Sequence, residues 1–290
     1  MPDAPIPNPV NAVEVSVPVL APLLLMVSVP AGATFSPITE TVNGLTAYSS
    51  ASFLPTFSSG GVLTNSSLGS QTTLPTGGGP GQMVIADFDG DGKPDLAANC
   101  GSDHTIYVYR NISTNGTLAA GSFASPVVLQ LGTGGEEAMV AADVNGDGRQ
   151  DLMFLDYNSN AVVVLQNLST MGNISFGPRV NLAVGSGPVS VTVRDLDGDG
   201  KPEIVTANFG SSTISVLQNI GTTGIITTNS FAPAVSFTGA TSTRAVAIAD
   251  MDGDGKPDVV AINEVSGNNN DLSVFRNVST LGNIAFARSE

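Results

Sequence analysis

The stretch Asp87-Phe-Asp89-Gly-Asp91-Gly-Lys93-Pro-Asp95 occurs four times, which restricts the chain to folds that build one turn again and again. The other copies are Asp143-Val-Asn145-Gly-Asp147-Gly-Arg149-Gln-Asp151, Asp195-Leu-Asp197-Gly-Asp199-Gly-Lys201-Pro-Glu203 and Asp250-Met-Asp252-Gly-Asp254-Gly-Lys256-Pro-Asp258. Oxygen-bearing side chains stand at positions one, three, five and nine, and glycines at four and six. A hard cation such as Ca²⁺ takes about six to eight oxygens, which a short segment supplies only by turning sharply around the ion. Glycine permits that turn, because it enters positive φ at no steric cost. The carbonyl of position seven (Lys93, Arg149, Lys201 or Lys256) offers a further oxygen and leaves its side chain free to point into solvent. Without a cation, carboxylates gathered this closely repel one another. An acidic surface turn is the simpler reading, but four copies with oxygens at the same alternating positions argue against it.

The loop class follows by elimination. An EF-hand needs a bidentate acid at position twelve, where this chain has Ala98, Phe154, Thr206 and Ala261. Dockerin loops fail at the same place, and the glycine-rich nonapeptide of calcium β-rolls is absent. A loop that closes at position nine between two strands remains.

The loops begin at 87, 143, 195 and 250, so the units are 52 to 56 residues long, the length of propeller blades or solenoid units. An apolar run enters each loop (Met83–Ala86, Ala138–Ala142, Val189–Val193, Ala245–Ala249) and a second leaves it (Leu96–Ala98, Leu152–Leu155, Ile204–Ala207, Val259–Ile262). A third run follows a polar turn (Thr105–Tyr109, Ala161–Leu165, Thr213–Leu217, Leu272–Phe275) and ends in Arg/Gln-Asn. A weaker fourth strand is expected at Phe123, Phe176 or Phe231. The first two runs are almost wholly apolar, which predicts strands buried on both faces. The expected fold is therefore all-β, a propeller of four-stranded antiparallel blades. With a strand-like remnant before Gln82, four to five blades are expected, the last cut short. An incomplete or open ring leaves unpaired edge strands that favour self-association.

Residues 1–50 read as a leader or upstream low-complexity segment: Val19–Val29 is apolar, and Ala31-Gly-Ala33 is similar to a signal-peptidase site, but no basic residue precedes Lys93. Pro18, Pro22 and Pro30 argue against a membrane-spanning helix there. Residues 51–81 read as a Ser/Gly-rich linker carrying the remnant of a preceding blade, and 82–290 as the repeats. Net charge is −15, yet 15 of the 25 acidic residues lie inside the four loops. The acidity thus belongs to ion sites, and it excludes the basic face that nucleic acids require. Cys100 stands alone, which excludes an intrachain disulfide, so calcium at extracellular concentration is the expected stabiliser.

Asp-x-Asp-Gly-Asp-Gly-x-x-Asp between two apolar strands at this period resembles the FG-GAP/VCBS repeat family, integrin-α-like calcium-binding propeller repeats, over about residues 82–290. Phe176-Gly177 and Phe209-Gly210 occur without Gly-Ala-Pro, which is similar to the bacterial secreted branch. The resemblance implies that Asp87, Asp89, Asp91 and Asp95, and their counterparts, bind about four structural Ca²⁺ in the hairpins between first and second strands. It also implies a secreted or cell-surface protein.

No catalytic constellation emerges. His104 near Cys100 is too few ligands for zinc and reads as a turn histidine, and Cys100 as an inert residue at a strand end. The acids outside the loops, among them Glu136, Glu137, Asp156, Glu264 and Asp271, form no recognisable pair. The sequons at Asn65, Asn111, Asn115, Asn167, Asn173 and Asn277 recur at blade positions that suit turn chemistry. The expected function is non-catalytic binding or adhesion to an extracellular glycan or protein, through polar loops such as Asn158–Asn160 and Gly267–Asn270. The alternatives are the propeller of a polysaccharide lyase or glycosidase, and a structural array in a larger extracellular protein.

Overall fold

The structure, a computed structural model, describes residues 36–42, 45–53, 71–114, 118–132, 136–238, 242–264 and 271–287. They fall into two compact units, one within Met1–Thr72 with Thr114–Thr117, the other within Thr73–Ser113 with Leu118–Glu290. In the first unit, β1 (Ser36–Val42) pairs antiparallel with β2 (Leu45–Phe53). The apolar run at 19–29, the sequons at 65 and 115 and the loop 267–270 lie outside the described residues.

The second unit is a row of antiparallel sheets, one per repeat. Blade one holds β3 (Pro80–Ala86), β4 (Asp95–Cys100), β5 (Thr105–Tyr109) and β6 (Val127–Gln130). Blade two holds β7 (Glu136–Ala142), β8 (Asp151–Asp156), β9 (Ala161–Asn167) and β10 (Phe176–Ala183). Blade three holds β11 (Pro188–Arg194), β12 (Glu203–Asn208), β13 (Thr213–Leu217) and β14 (Val235–Phe237). Blade four holds β15 (Thr243–Ala249), β16 (Asp258–Asn263) and β17 (Asp271–Phe275). Each sheet is ordered as its strands occur in sequence, and the first strands of successive blades, β3, β7, β11 and β15, lie side by side. This is the all-β, open propeller-like array of blades that the repeats predict, with three strands in the fourth sheet. Among the described residues there is no α-helix, only a single 3₁₀ turn at Ala120–Ser122, and no helix long and apolar enough to cross a membrane.

Three apolar cores lie between consecutive blades. Phe88, Ala97, Ile106 and Val108 of blade one meet Met139, Leu152, Phe154 and Val163 of blade two. Met153, Leu155, Val162 and Val164 on the other face of blade two meet Ile204 and Leu217 of blade three. Val205, Ile214 and Val216 then meet Val259 and Ala261 of blade four. In blades two and three the second and third strands are thereby buried on both faces, every residue of β8 and β12 included, whereas β17 of blade four is largely exposed.

Two expectations need correction. The first strands are not buried on both faces: β3 is mostly exposed, and β11 and β15 are largely half-buried or exposed. Each stands at the end of its sheet, with one strand neighbour instead of two. In blade two the fourth strand, β10, begins at Phe176 as expected, but in blades one and three it begins later than the phenylalanine suggests. Phe123 and Phe231 make single bridges to Asn111 and Asn219, and β6 and β14 start four residues further on. Pro126 and Pro233 lie between and lack the N–H that would continue the ladder.

Candidate metal-binding loops

Each acidic loop is the hairpin between the first and second strands of its blade, with the position-one carboxylate at its centre. Asp87 Oδ1 accepts the Gly90 and Asp91 N–H groups (2.8 and 3.2 Å), and Oδ2 accepts that of Gly92 (2.8 Å). Asp195 takes the N–H groups of Gly198 and Gly200, Asp250 those of Gly253 and Gly255, and Asp143 those of Asp147 and Gly148. All eight loop glycines have positive φ, from 68° at Gly146 to 86° at Gly255. The conformation needs glycine, as its spacing implies.

Position nine is a latch. Asp95 Oδ2 accepts the Phe88 N–H (2.9 Å), while Oδ1 accepts that of Asn111 beyond the third strand (2.7 Å). Asp151 binds Val144 and Asn167 in the same way, Glu203 binds Leu196 and Asn219, and Asp258 binds Met251 and Asn277. The extra methylene of Glu203 is accommodated without loss of either bond. Asp95, Asp151 and Glu203 are wholly shielded from solvent. Burial pushes their carboxyls up to about 6, 7 and 7, against the two N–H bonds that favour the anion and with neighbouring loop carboxylates adding repulsion. Burial also raises Asp87, again opposed by its glycine N–H groups.

Carboxylate oxygens of Asp87, Asp89 and Asp95 lie within 4.8 Å of one another, as do those of Asp195, Asp197 and Asp199, and of Asp250, Asp252 and Asp254. A donor set made only of hard oxygens suits Ca²⁺ and not a soft-ligand metal. The second loop differs, as Asn145 Nδ2 and Arg149 Nη2 both bond Asp147 Oδ2, at 3.1 and 2.6 Å. The position-seven side chains therefore do not all point freely into solvent. Arg149 also donates through Nε to the Asn167 carbonyl, Lys256 Nζ to that of Ser279, and Lys93 Nζ sits 3.6 Å from Asp91. Long basic side chains fold back because adjacent carboxylates and free carbonyls attract them.

The residue just after the third strand reaches the position-three acid of its own loop in three blades. Arg110 lies 3.7 Å from Asp89, Gln218 donates to Asp197 at 3.0 Å, and Arg276 binds both Asp252 and Asp254. Position three is buried in loops one to three (Asp89, Asn145 and Asp197) but exposed at Asp252. In blade one the cover comes partly from blade two, where Gly172 N–H bonds Asp89 Oδ2 at 2.9 Å.

The asparagine that follows was missed as a functional residue. Besides binding the closing acid, Asn167 Nδ2 donates to the Gln150 carbonyl of its own loop and to the Phe88 carbonyl of the preceding loop, both at 2.9 Å. Asn219 reaches Val144 O (2.7 Å) and Asn277 reaches Leu196 O (2.8 Å). Each Oδ1 accepts the N–H two residues on. The available signal was spacing: the asparagine stands 16 residues after the closing acid in three units and 19 in the fourth. Asn111, Asn167 and Asn277 are thus buried turn residues, as their recurrence suggests, and only Asn173 among the described sequons is exposed.

Elsewhere, Cys100 is buried at the end of β4, and His104 lies in the following turn with φ 52°. Asp156 pairs with Arg179 at 3.2 Å, Glu264 with Arg244, and Asp271 with Asn263 at 2.6 Å.

Residues 87–154, 143–206 and 195–261 each match the family model of the FG-GAP-like repeat. No curated protein matches the chain.

Proposed function

The chain belongs to the FG-GAP-like repeat family, and from that premise we propose that it is an extracellular, calcium-stabilised β-propeller binding module without a catalytic site. One observation carries the reading. In three of the four loops, carboxylates that range from buried in the first to exposed in the fourth are gathered within 4.8 Å of one another on a turn preshaped by glycine, an arrangement whose repulsion a divalent cation offsets. The ligands are the side chains at positions one, three, five and nine and the carbonyl at position seven of each loop, with Asp87, Asp89, Asp91, Lys93 and Asp95 forming the first site. Bound Ca²⁺ supplies positive charge that keeps the hairpin closed. The chain's own residues do the rest: the latch acids hold the loop to the third strand, and the asparagines hold one blade to the next.

Binding falls to the turns at the other end of the blades, such as Asn158–Asn160 and Phe209–Ser212, which present polar side chains on a rigid base to a glycan or a protein. Carboxylates that hold an ion do not serve as general acid or base, which favours binding over the lyase or glycosidase alternative. Residues 82–290 constitute the module, and 1–50 and 51–81 its leader or upstream segment and its linker.

The decisive experiment is calorimetric titration of the chelator-treated protein with Ca²⁺, beside a polysaccharide screen. Heat of binding at several sites per chain, with Asp89→Ala lowering calcium-dependent melting more than Asn145→Ala, is the expected result. Equal losses from the two variants, or melting indifferent to EDTA, contradict the metal assignment. Retention on a polysaccharide without product supports binding; release of reducing ends or unsaturated uronates, lost on mutating Asp156 or Glu264, establishes the enzyme instead.

A further inference from the structure

The contact between blades is built the same way three times. An apolar face of one blade lies on the next, and beside it the asparagine of the later blade donates to the position-two carbonyl of the earlier loop, at 2.7 to 2.9 Å. The two end blades carry the unmatched halves of this contact. In blade four the position-two carbonyl belongs to Met251, and no asparagine of the described residues reaches it. In blade one Asn111 Nδ2 donates to Pro94 O, while each of its three counterparts donates to two carbonyls.

The apolar faces divide likewise. On the outward face of blade four, Leu272 is 65% and Val274 51% exposed, whereas their register equivalents in blade three, Ile214 and Val216, are 0% and 2% exposed under blade four. On the open face of blade one, Met83 is 68% exposed, and its equivalent Met139, covered by blade one, is 8% exposed. Ile85 beside Met83 is exposed as well. Further out on this face the Tyr109 hydroxyl donates to the Pro75 carbonyl, so the chain before β3 already shelters the tyrosines and leaves the inner strand open.

We propose that two copies of this chain associate head to tail, the outward face of blade four in one copy seated on the inner-strand face of blade one in the other. The joint is a fourth instance of the internal blade contact, with Asn111 Nδ2 of one copy donating to Met251 O of the other and Leu272 and Val274 packed against Met83 and Ile85. It uses sheet faces and so differs from edge-to-edge strand pairing. It is heterologous, and two such joints between two copies close a ring of eight blades, at the upper end of the range of about four to eight blades in closed propellers. It rests on the blade architecture and not on calcium binding, so loss of association in saturating Ca²⁺ refutes this proposal while leaving the proposed function standing.

The test is sedimentation of the full chain in millimolar Ca²⁺, with one variant for each face, Leu272→Lys and Met83→Lys. Both positions are exposed, and Val274→Lys and Ile85→Lys serve if either variant misfolds. The wild type should sediment as a dimer, and each variant alone should be monomeric, because every joint needs both faces. An equimolar mixture of the two variants should restore a 1:1 dimer, formed through the one joint whose faces are both intact. A wild type that stays monomeric up to about 100 µM, variants that still dimerise alone, or a mixture that remains monomeric each overturns the proposal. The second outcome points to edge strands, and a dimer abolished only by Leu272→Lys points to another segment of the chain on blade one.

Discussion

Removing the divalent ion should reverse the pH dependence of stability. Asp95, Asp151 and Glu203 are fully shielded, with carboxyls raised from 3.8, 3.8 and 4.5 to about 6, 7 and 7 by burial. A carboxyl raised on folding contributes stability while it is protonated, and that contribution is lost as pH rises through the folded value. Between pH 7 and pH 5 the unfolded groups stay largely ionised while the folded ones take up protons. At about 1.4 kcal/mol per unit, the three together restore about 5 kcal/mol over that interval. For a unit of this size that corresponds to roughly 10–20 °C in melting temperature. In millimolar Ca²⁺ the sign reverses, because the ion holds the same groups ionised and protons must displace it. Scanning calorimetry at pH 5, 6 and 7, in EDTA and in Ca²⁺, checks both limbs. An ion-free protein whose melting temperature is flat or falls on acidification refutes the reasoning, and so does a common slope in both buffers.

Asn167→Ala leaves the Phe88 and Gln150 carbonyls without their donor, so it should cost about 2–4 kcal/mol in urea unfolding. A loss below about 1 kcal/mol contradicts the role of the asparagine as an inter-blade tie. Arg276→Gln frees Asp252 and Asp254, so it should tighten Ca²⁺ binding at the fourth loop by calorimetry; because the pair is exposed, the melting temperature of the ion-free protein should hardly change.

What was legible in the sequence is local. The alternation of oxygens and glycines in Asp87–Asp95 encodes its own turn, and the positive φ at Gly90 and Gly92 follows from residues at most five apart. The doubly buried second and third strands of blades two and three were readable because apolar residues fill both their faces. The first strands carry the same pattern to a different end. Met83 and Val84 are alike in composition, yet Val84 packs toward blade two and Met83 faces outward, a difference set by which blade is present to cover it. Asn167 is the clearest case of a signal seen and not understood, since its partner Phe88 lies 79 residues away and no local pattern links them. The turned-back Arg149 and the capping of Asp252 by Arg276 were likewise invisible, because both depend on side-chain reach across a folded hairpin.

The ties between loops form one line through the array. Phe88 gives its N–H to Asp95 and its carbonyl to Asn167, whose own N–H goes to Asp151. Asp151 holds Val144, whose carbonyl takes Asn219, which holds Glu203. Glu203 holds Leu196, whose carbonyl takes Asn277, which holds Asp258. The position-two residue of each of the first three loops is therefore shared between the latch of its own loop and the asparagine of the next blade. A closing acid that takes up a proton weakens both of its hydrogen bonds, and the asparagine it positions also anchors the preceding blade. Repeat arrays gain stability from intrinsic unit terms and from nearest-neighbour terms, and here one carboxylate enters both. It follows that ion binding at one loop stabilises the adjoining blade interface as well as its own hairpin, and that the blades should unfold with more cooperativity in Ca²⁺ than in chelator.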